Sequence, residues 1–451
     1  MCDPVVIGRS QPEHTLVRPA PRSLRGVLSH LGPGFIITAT IVGSGELIVT
    51  PKLGASVGFT LLWFIILGCA VKVFVQIELA RVAIVTGQTT LEALDTLPGP
   101  RWRVSWIVWL WLLMYLSTLL QIGGIVGGIA GVFAQAGLGG GVRIWALPVG
   151  LSCALLLASG RYTTVERWST LMVALFTVAT IVSVIALAWT PDRISMGDLA
   201  AGFSFRIPDD PGVAFAAFGV IGVGASELIY YPYWCLEKGY GSHIGPREPT
   251  AEWRARAAGW MRVMKADAWL SLVLYTSITA AFYLLGAAVL GSRGLDVTDA
   301  DLIPVLAQMY RQTFGEWTTA VFLGGAFFVL YSTYFVATAS NARLAADILS
   351  LLGVLKYPDA ERRRDAVRVA SVALALVAAA AFIFWSQPVT LVLVGATGQA
   401  LMLPFLGGAA VYLHYRRTRR VLGSRGSWVV ALWISALAMA ALGLYQLARM
   451  L

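Results

Sequence analysis

Apolar segments long enough to cross a bilayer recur along the whole chain. The hydrocarbon core of a membrane is about 30 Å thick, so a crossing helix needs roughly 20 apolar residues at about 1.5 Å each. No water is available there, so backbone N–H and C=O groups must find partners within the protein, which leaves helices or closed barrels. Runs of this length fit helices, and we place eleven spans at 32–57, 59–86, 104–135, 142–159, 166–189, 213–236, 266–291, 317–349, 367–385, 388–413 and 427–448. Composition agrees: 57% of the residues are hydrophobic and 13% charged, against about 25% charged in a soluble domain. No polar stretch is long enough for an appended soluble domain. Residues 1–26 carry Pro and Arg but no apolar h-region, so they read as a cytoplasmic tail and not as a cleaved signal.

The formal net charge of +10 would suggest nucleic acid in a soluble protein. Here the basic residues gather between spans. With the N-terminus in the cytoplasm, 24 of the 34 Lys and Arg fall on that side and six on the other. The positive-inside rule then sets the orientation, with the C-terminus outside and a bacterial-type plasma membrane as the expected location. Cys2, Cys69, Cys153 and Cys235 show no paired spacing, so neither disulfides nor a zinc site are expected. Before the seventh span, Trp253, Ala257, Trp260 and Met264 follow helical spacing, which predicts an amphipathic surface helix with Arg254, Arg256 and Arg262 toward the headgroups. The stretch GGIVGGIAG (Gly123–Gly131) repeats small residues at i and i+4, a pattern that lets helix backbones approach closely in lipid.

One short text is written twice. VGSGELIVTP (Val42–Pro51) and VGASELIYYP (Val223–Pro232) match at six of ten positions, and their glutamates, Glu46 and Glu227, lie 181 residues apart in the first and sixth spans. A charge at the bilayer centre costs about 3 kcal/mol even on the lenient insertion scale, so such residues face a cavity or a partner. Small residues precede each glutamate and a proline follows five positions later, which predicts a broken helix at both sites. Irregular backbone inside a membrane is tolerated beside a cavity or ligand, and in transporters built from five-helix inverted repeats the two symmetry-related broken helices hold the substrate at midplane. The doubled motif therefore points to a ten-helix core over 27–413, with repeats about 27–190 and 211–413, followed by an additional helix over 427–451. Lys72 is also mid-span, four residues before Gln76, and reads as a counter-ion or as a long snorkelling side chain. Glu78 and Arg81, three apart near the end of the second span, read as an ion pair at the interface.

At these residues the chain resembles the Nramp family of divalent metal transporters. The segment GPGFIITATIVGSGELIVTPKLGASVGFTLLW (32–63) is similar to the family's first span and entry to the second. QIELARVAIVTG (Gln76–Gly87) resembles its Gln-x-x-x-Ala-Arg-x-x-x-Val-Thr-Gly ending of the second span. GVIG (Gly219–Gly222), KADAW (Lys265–Trp269) and YSTYFVATASN (Tyr331–Asn341) are weaker likenesses in the sixth, seventh and eighth spans. The resemblance implies an all-α polytopic membrane protein with a LeuT-like five-plus-five inverted repeat, an eleventh helix, and discontinuous first and sixth helices. The family's metal-binding residues depart here. Its Asp-Pro-Gly-Asn of the first span is replaced by Gly43-Ser44-Gly45-Glu46, and its Met-Pro-His of the sixth by Ser226-Glu227-Leu228, so no sulfur ligand stands at those positions. Gln121 and Gly124 stand where the family's third span carries acidic residues on a proton path.

These observations lead to a secondary-active transporter working by alternating access. Its substrate site is expected at Gly43, Ser44, Gly45, Glu46, Ala225, Ser226, Glu227 and Tyr230, with Lys72, Gln76 and Gln121 as coupling or counter-ion groups. The oxygen-only donors Glu46 and Glu227 suit a hard divalent cation, Mg²⁺ or Mn²⁺, as substrate. The alternative is a small organic amine or zwitterion, for which Tyr230, Tyr231, Tyr233 and Trp234 offer aromatic faces; Tyr233 and Trp234 equally fit an interfacial belt. A non-transporting sensor is a further reading, set back by the lack of a signalling domain. His14, His30, His243 and His414 all fall in the tail, at span ends or in loops, so no intramembrane catalytic cluster is visible and an enzyme is not expected. No cofactor or nucleic-acid partner is expected beyond the bilayer and the transported solute; oligomeric state stays open and a monomer is compatible.

Overall fold

The computed structural model of the chain describes residues 17–158, 162–206, 214, 217–295, 297–298, 301–315, 317–357 and 359–450. Among the described residues, nine helices are long and apolar enough to cross a membrane: Pro33–Val57, Leu62–Thr86, Trp106–Gln135, Gly141–Ala158, Ala251–Arg293, Thr318–Leu351, Glu361–Trp385, Pro388–Leu422 and Gly426–Ala448. They coincide with nine of the eleven expected spans. The fifth expected span lies in Tyr162–Ala186 and its short extension Leu187–Trp189. In the sixth, the described residues 214, 217 and 218 are helical, residues 219–224 are not, and the helix Ala225–Glu237 follows. Helices are numbered first to eleventh below in this order of expected spans.

The interruptions expected in the first and sixth helices take different forms. The sixth is unwound over residues 219–224. The first stays helical but widens to a π-helix over Val42–Val49, with α-helix on either side. A π-helical stretch shifts the i→i−4 ladder and is common at functional sites.

The expected surface helix before the seventh span is not separate. Ala251–Leu285 is one continuous helix. Trp253, Ala257, Trp260 and Met264 do share a buried face, with Arg254 and Arg262 exposed opposite. That face packs on protein: Trp260 Nε1 donates to the Arg18 carbonyl at 3.0 Å, and the Trp260 ring meets His30 edge-on. The described end of the N-terminal segment is thus docked on the N-terminal extension of the seventh helix. Arg18 also donates to His243 Nε2, and Tyr240 donates to the His30 carbonyl at 2.7 Å.

The third helix packs along the tenth, the fourth along the ninth, and the second against the sixth and seventh. The glycine run of the third helix makes this contact possible. A Cβ on Gly124 would lie 2.5 Å from the Pro388 carbonyl oxygen, and one on Gly127 would lie 2.3 Å from the Phe382 ring. Gly124 therefore leaves no room for an acidic side chain in this arrangement.

Two buried carboxylates tie helices together. Asp267 of the seventh helix accepts from Gly32 N at 2.8 Å and Gly34 N at 2.6 Å, capping the start of the first helix where the helix dipole favours a negative group. Tyr231 of the sixth helix donates to the same carboxylate at 3.0 Å. Glu78 is the second. The interfacial ion pair expected of Glu78 and Arg81 is instead enclosed, at 0% and 4% exposure. Glu78 meets Arg81 at 2.8 Å, His414 Nδ1 at 3.0 Å, Trp428 Nε1 at 2.9 Å, and Thr418. It thereby joins the second, tenth and eleventh helices, and it brings in His414, which sequence position alone assigned to a span end.

Glu78→Ala strands Arg81 among apolar helices, and thermal unfolding in detergent should show a loss of about 3–5 kcal/mol. Asp365→Ala, in the exposed Arg368–Asp365 pair, should cost under about 1 kcal/mol. Burial, followed by the charges of Arg18 and His30, lowers the His243 pKa from its usual 6.5 to about 4. The neutral ring is thus favoured when the tail is docked. Tail attachment should be complete above pH 6.5 and weaken as pH falls from there toward 4, read as faster proteolysis around residue 18 at low pH.

Candidate functional site

The six-residue unwound stretch of the sixth helix leaves main-chain groups without helical partners. Buried side chains from two other helices meet them, and a third helix supports one of these. Lys72 of the second helix, fully buried, donates to the Phe218 carbonyl at 2.6 Å and the Ile221 carbonyl at 2.6 Å. Its ammonium also lies 4.4 Å from the centre of the Phe218 ring. Glu46 of the first helix, also fully buried, accepts from Gly222 N at 3.0 Å through Oε1. Thr279 of the seventh helix places its hydroxyl 2.6 Å from the same oxygen. Gly222 adopts φ +62°, and a Cβ there would lie 2.8 Å from Cys69 Sγ. Glycine at this turn is therefore required both by conformation and by space.

The first copy of the doubled motif meets the unwound stretch just before the second copy begins. A Cβ on Gly45 would lie 2.8 Å from the Val220 carbonyl oxygen. Glu227 sits in the first turn of the helix that restarts after the break, where unsatisfied N–H groups favour a carboxylate. Glu46, Glu227 and Lys72 lie within electrostatic reach of one another. Glu227 keeps part of its surface accessible, whereas Glu46 does not. Glu46 Oε2 has no protein partner among the described residues, nor do the two amide atoms of Gln76, one helical turn from Lys72.

Ser226 belongs to a neutral arm of the same site. Its N–H donates to Gln399 Oε1 at 2.9 Å, its hydroxyl lies 3.3 Å from Thr118 Oγ1, and Gln399 Nε2 donates to Gln121 Oε1 at 2.8 Å. Gln121 is thereby joined to the sixth helix through the tenth. Ala225 is buried beside it. Gly43 and Tyr230 also meet the eighth helix. A Cβ on Gly43 would collide with Thr333 of the eighth helix, whose hydroxyl donates to Ala39 O at 2.7 Å, so Gly43 serves helix packing. Tyr230 donates to Asn341 Oδ1 at 2.9 Å. For Ser44 the backbone position within the π-helix is described and the side chain is not.

The aromatics after Glu227 form neither a cation wall nor an interfacial belt. Tyr231, Tyr233 and Trp234 are buried between helices, and Trp234 Nε1 donates to Ser340 at 3.2 Å under the Arg343 guanidinium. Sequence reasoning missed Thr279, Gln399 and Asn341. Gln399 and Asn341 carried a legible signal, as amides inside apolar spans; Thr279 carried none, since threonine is common in such helices. Among the described residues, no three or more His, Cys, Asp and Glu come together in a way that would hold a metal ion.

Comparison with known proteins agrees with this architecture. The family model described as natural resistance-associated macrophage protein-like matches residues 34–449. The divalent metal cation transporter MntH of Yersinia pestis is 33% identical over 90 residues, 20% of this chain and 21% of that protein. The chain spans a quarter or less of the length of the curated relatives it matches. The manganese transporter of Eremococcus coleocola, solved with an aromatic bis-isothiourea compound, superposes with a TM-score of 0.68 at 16% identity, covering 98% of this chain and 91% of that one. A nucleobase-cation-symport-1 family transporter in a closed conformation superposes with a TM-score of 0.57 at 16% identity, covering 97% and 93%. These likenesses establish the LeuT-like fold expected from the doubled motif.

Gly222→Ala forces an L-residue into a left-handed conformation against Cys69. The variant should lose about 1–3 kcal/mol in thermal unfolding, while Gly294→Ala, also at positive φ but with nothing near its Cβ position, should lose less.

Proposed function

The chain belongs to the natural resistance-associated macrophage protein-like (Nramp) family, and we propose that it is a secondary transporter, not an enzyme, moving a divalent cation across the membrane by alternating access. One observation carries the reading: the buried Glu46 carboxylate and the partly accessible Glu227 carboxylate, one from each copy of the doubled motif, both lie against the unwound stretch of the sixth helix, and one carboxylate oxygen, Glu46 Oε2, is left without a protein partner among the described residues. Substrate sites of this fold lie beside such breaks, where backbone groups and side chains converge on a dehydrating ligand.

Carboxylate, hydroxyl and amide oxygens favour hard cations, and no thioether stands at the sixth-helix position. Mg²⁺ or Mn²⁺ fits this donor set. Mg²⁺ surrenders its waters reluctantly and is commonly held by one or two carboxylates, which suits a site where no three His, Cys, Asp or Glu among the described residues come together as metal ligands. A second reading is favoured by Lys72, a cationic side chain within electrostatic reach of the same carboxyl groups. A small organic amine or zwitterion would need fewer dedicated ligands than a metal.

Proteoliposomes containing a metal-sensitive dye should show Mg²⁺ or Mn²⁺ entry, and Glu46→Gln with Glu227→Gln should lower it by about tenfold or more, the equivalent of one charge-assisted contact. Entry of neither ion, together with a melting temperature raised by an amine or amino acid and by no divalent cation, would replace the metal with the organic solute.

A further inference from the structure

Lys72 stands apart from the donor set of a divalent-cation site, and its surroundings are specific. Its ammonium is fully buried and is held by two main-chain carbonyls at 2.6 Å, Phe218 O and Ile221 O. The Phe218 ring presents its face at 4.4 Å. The Glu46 and Glu227 carboxyl groups lie within electrostatic reach from the first and sixth helices, as does the buried Cys69 thiol. Carbonyl oxygens freed by a broken helix, together with nearby carboxylates, are the coordination chemistry of a dehydrated monovalent cation in membrane transporters. An aromatic face adds to that preference when the cation is desolvated. The carbonyls would otherwise be buried without partners, a loss of a few kcal/mol for such groups.

We propose that the unwound stretch of the sixth helix forms a monovalent-cation site that Lys72 fills as a tethered cation. The protein then keeps the break in shape without free Na⁺ or K⁺. Removing the side chain leaves a site of the same charge and carbonyl geometry, open to a small inorganic cation or to an alkylammonium ion that reproduces the lysine head group. This assignment concerns what holds the break and is independent of which solute the transporter carries.

The test uses purified full-length protein and its melting temperature at constant ionic strength in Na⁺, K⁺, choline or ethylammonium chloride. Wild type should melt alike in all four. Lys72→Ala should melt lower in choline and recover by about 2 °C or more in Na⁺, K⁺ or ethylammonium, because a ligand that binds only the folded state raises the transition. Recovery in Na⁺ or K⁺ alone assigns an inorganic-cation site, and recovery in ethylammonium alone assigns an ammonium pocket; both support the proposal. Lys72→Met, which refills the space without the charge, should melt low in every salt. The proposal is overturned if Lys72→Ala melts alike in choline, Na⁺, K⁺ and ethylammonium, or cannot be recovered folded in any of them. A wild-type melting point that rises in Na⁺ or K⁺ over choline overturns it without recourse to a variant.

Discussion

Everything in the centre of this protein depends on how the unwound part of the sixth helix satisfies its backbone. A helix crossing a bilayer carries its own hydrogen bonds; a broken one does not, and lipid offers no substitute. Here the freed carbonyls of Phe218 and Ile221 turn to the Lys72 ammonium, and the Gly222 N–H turns to the Glu46 carboxylate. Opposite charges, each costly alone in a low-dielectric interior, are thus used on opposite poles of the same stretch of peptide. The first, second, sixth and seventh helices are held together through these few contacts.

The same economy recurs away from the break. Asp267 caps the first helix and receives Tyr231 of the sixth. Glu78 gathers Arg81, His414, Thr418 and Trp428 from three helices. Arg343 pairs with Glu237 across the sixth and eighth helices, and Arg363 with Asp347. Between these polar nodes the contacts are made by glycines and apolar side chains.

Much of this was legible in the chain. The spans followed from apolar run length, and the two symmetry-related helices followed from the doubled glutamate motif, because a carboxylate in an apolar segment demands an explanation. Glu46, Glu227 and Lys72 stood out for that reason, and the structure brings them to one place. Other expectations gave way. Glu78 and Arg81 looked interfacial because they lie near a helix end, yet the eleventh helix and the end of the tenth enclose them. Tyr233 and Trp234 looked like a belt, since large aromatics are common at interfaces, but the eighth helix covers them. Gly43 looked like part of the substrate site and instead admits Thr333.

What the sequence alone determined is local and one-dimensional: which segments can live in hydrocarbon, which residues are too polar to be there without a role, and where small residues and proline weaken a helix. Those properties depend on transfer free energy and backbone sterics, which each residue carries wherever it is placed. Only the tertiary structure decided how the charges are used. That Lys72 meets carbonyls of the sixth helix, that Glu46 spends one oxygen on Gly222 and keeps the other free of protein partners, and that Gln121 reaches Ser226 through Gln399 are facts about helices distant in sequence. Hydrogen bonds act over about 3 Å, so their partners are chosen by packing, and no spacing along the chain could have named them.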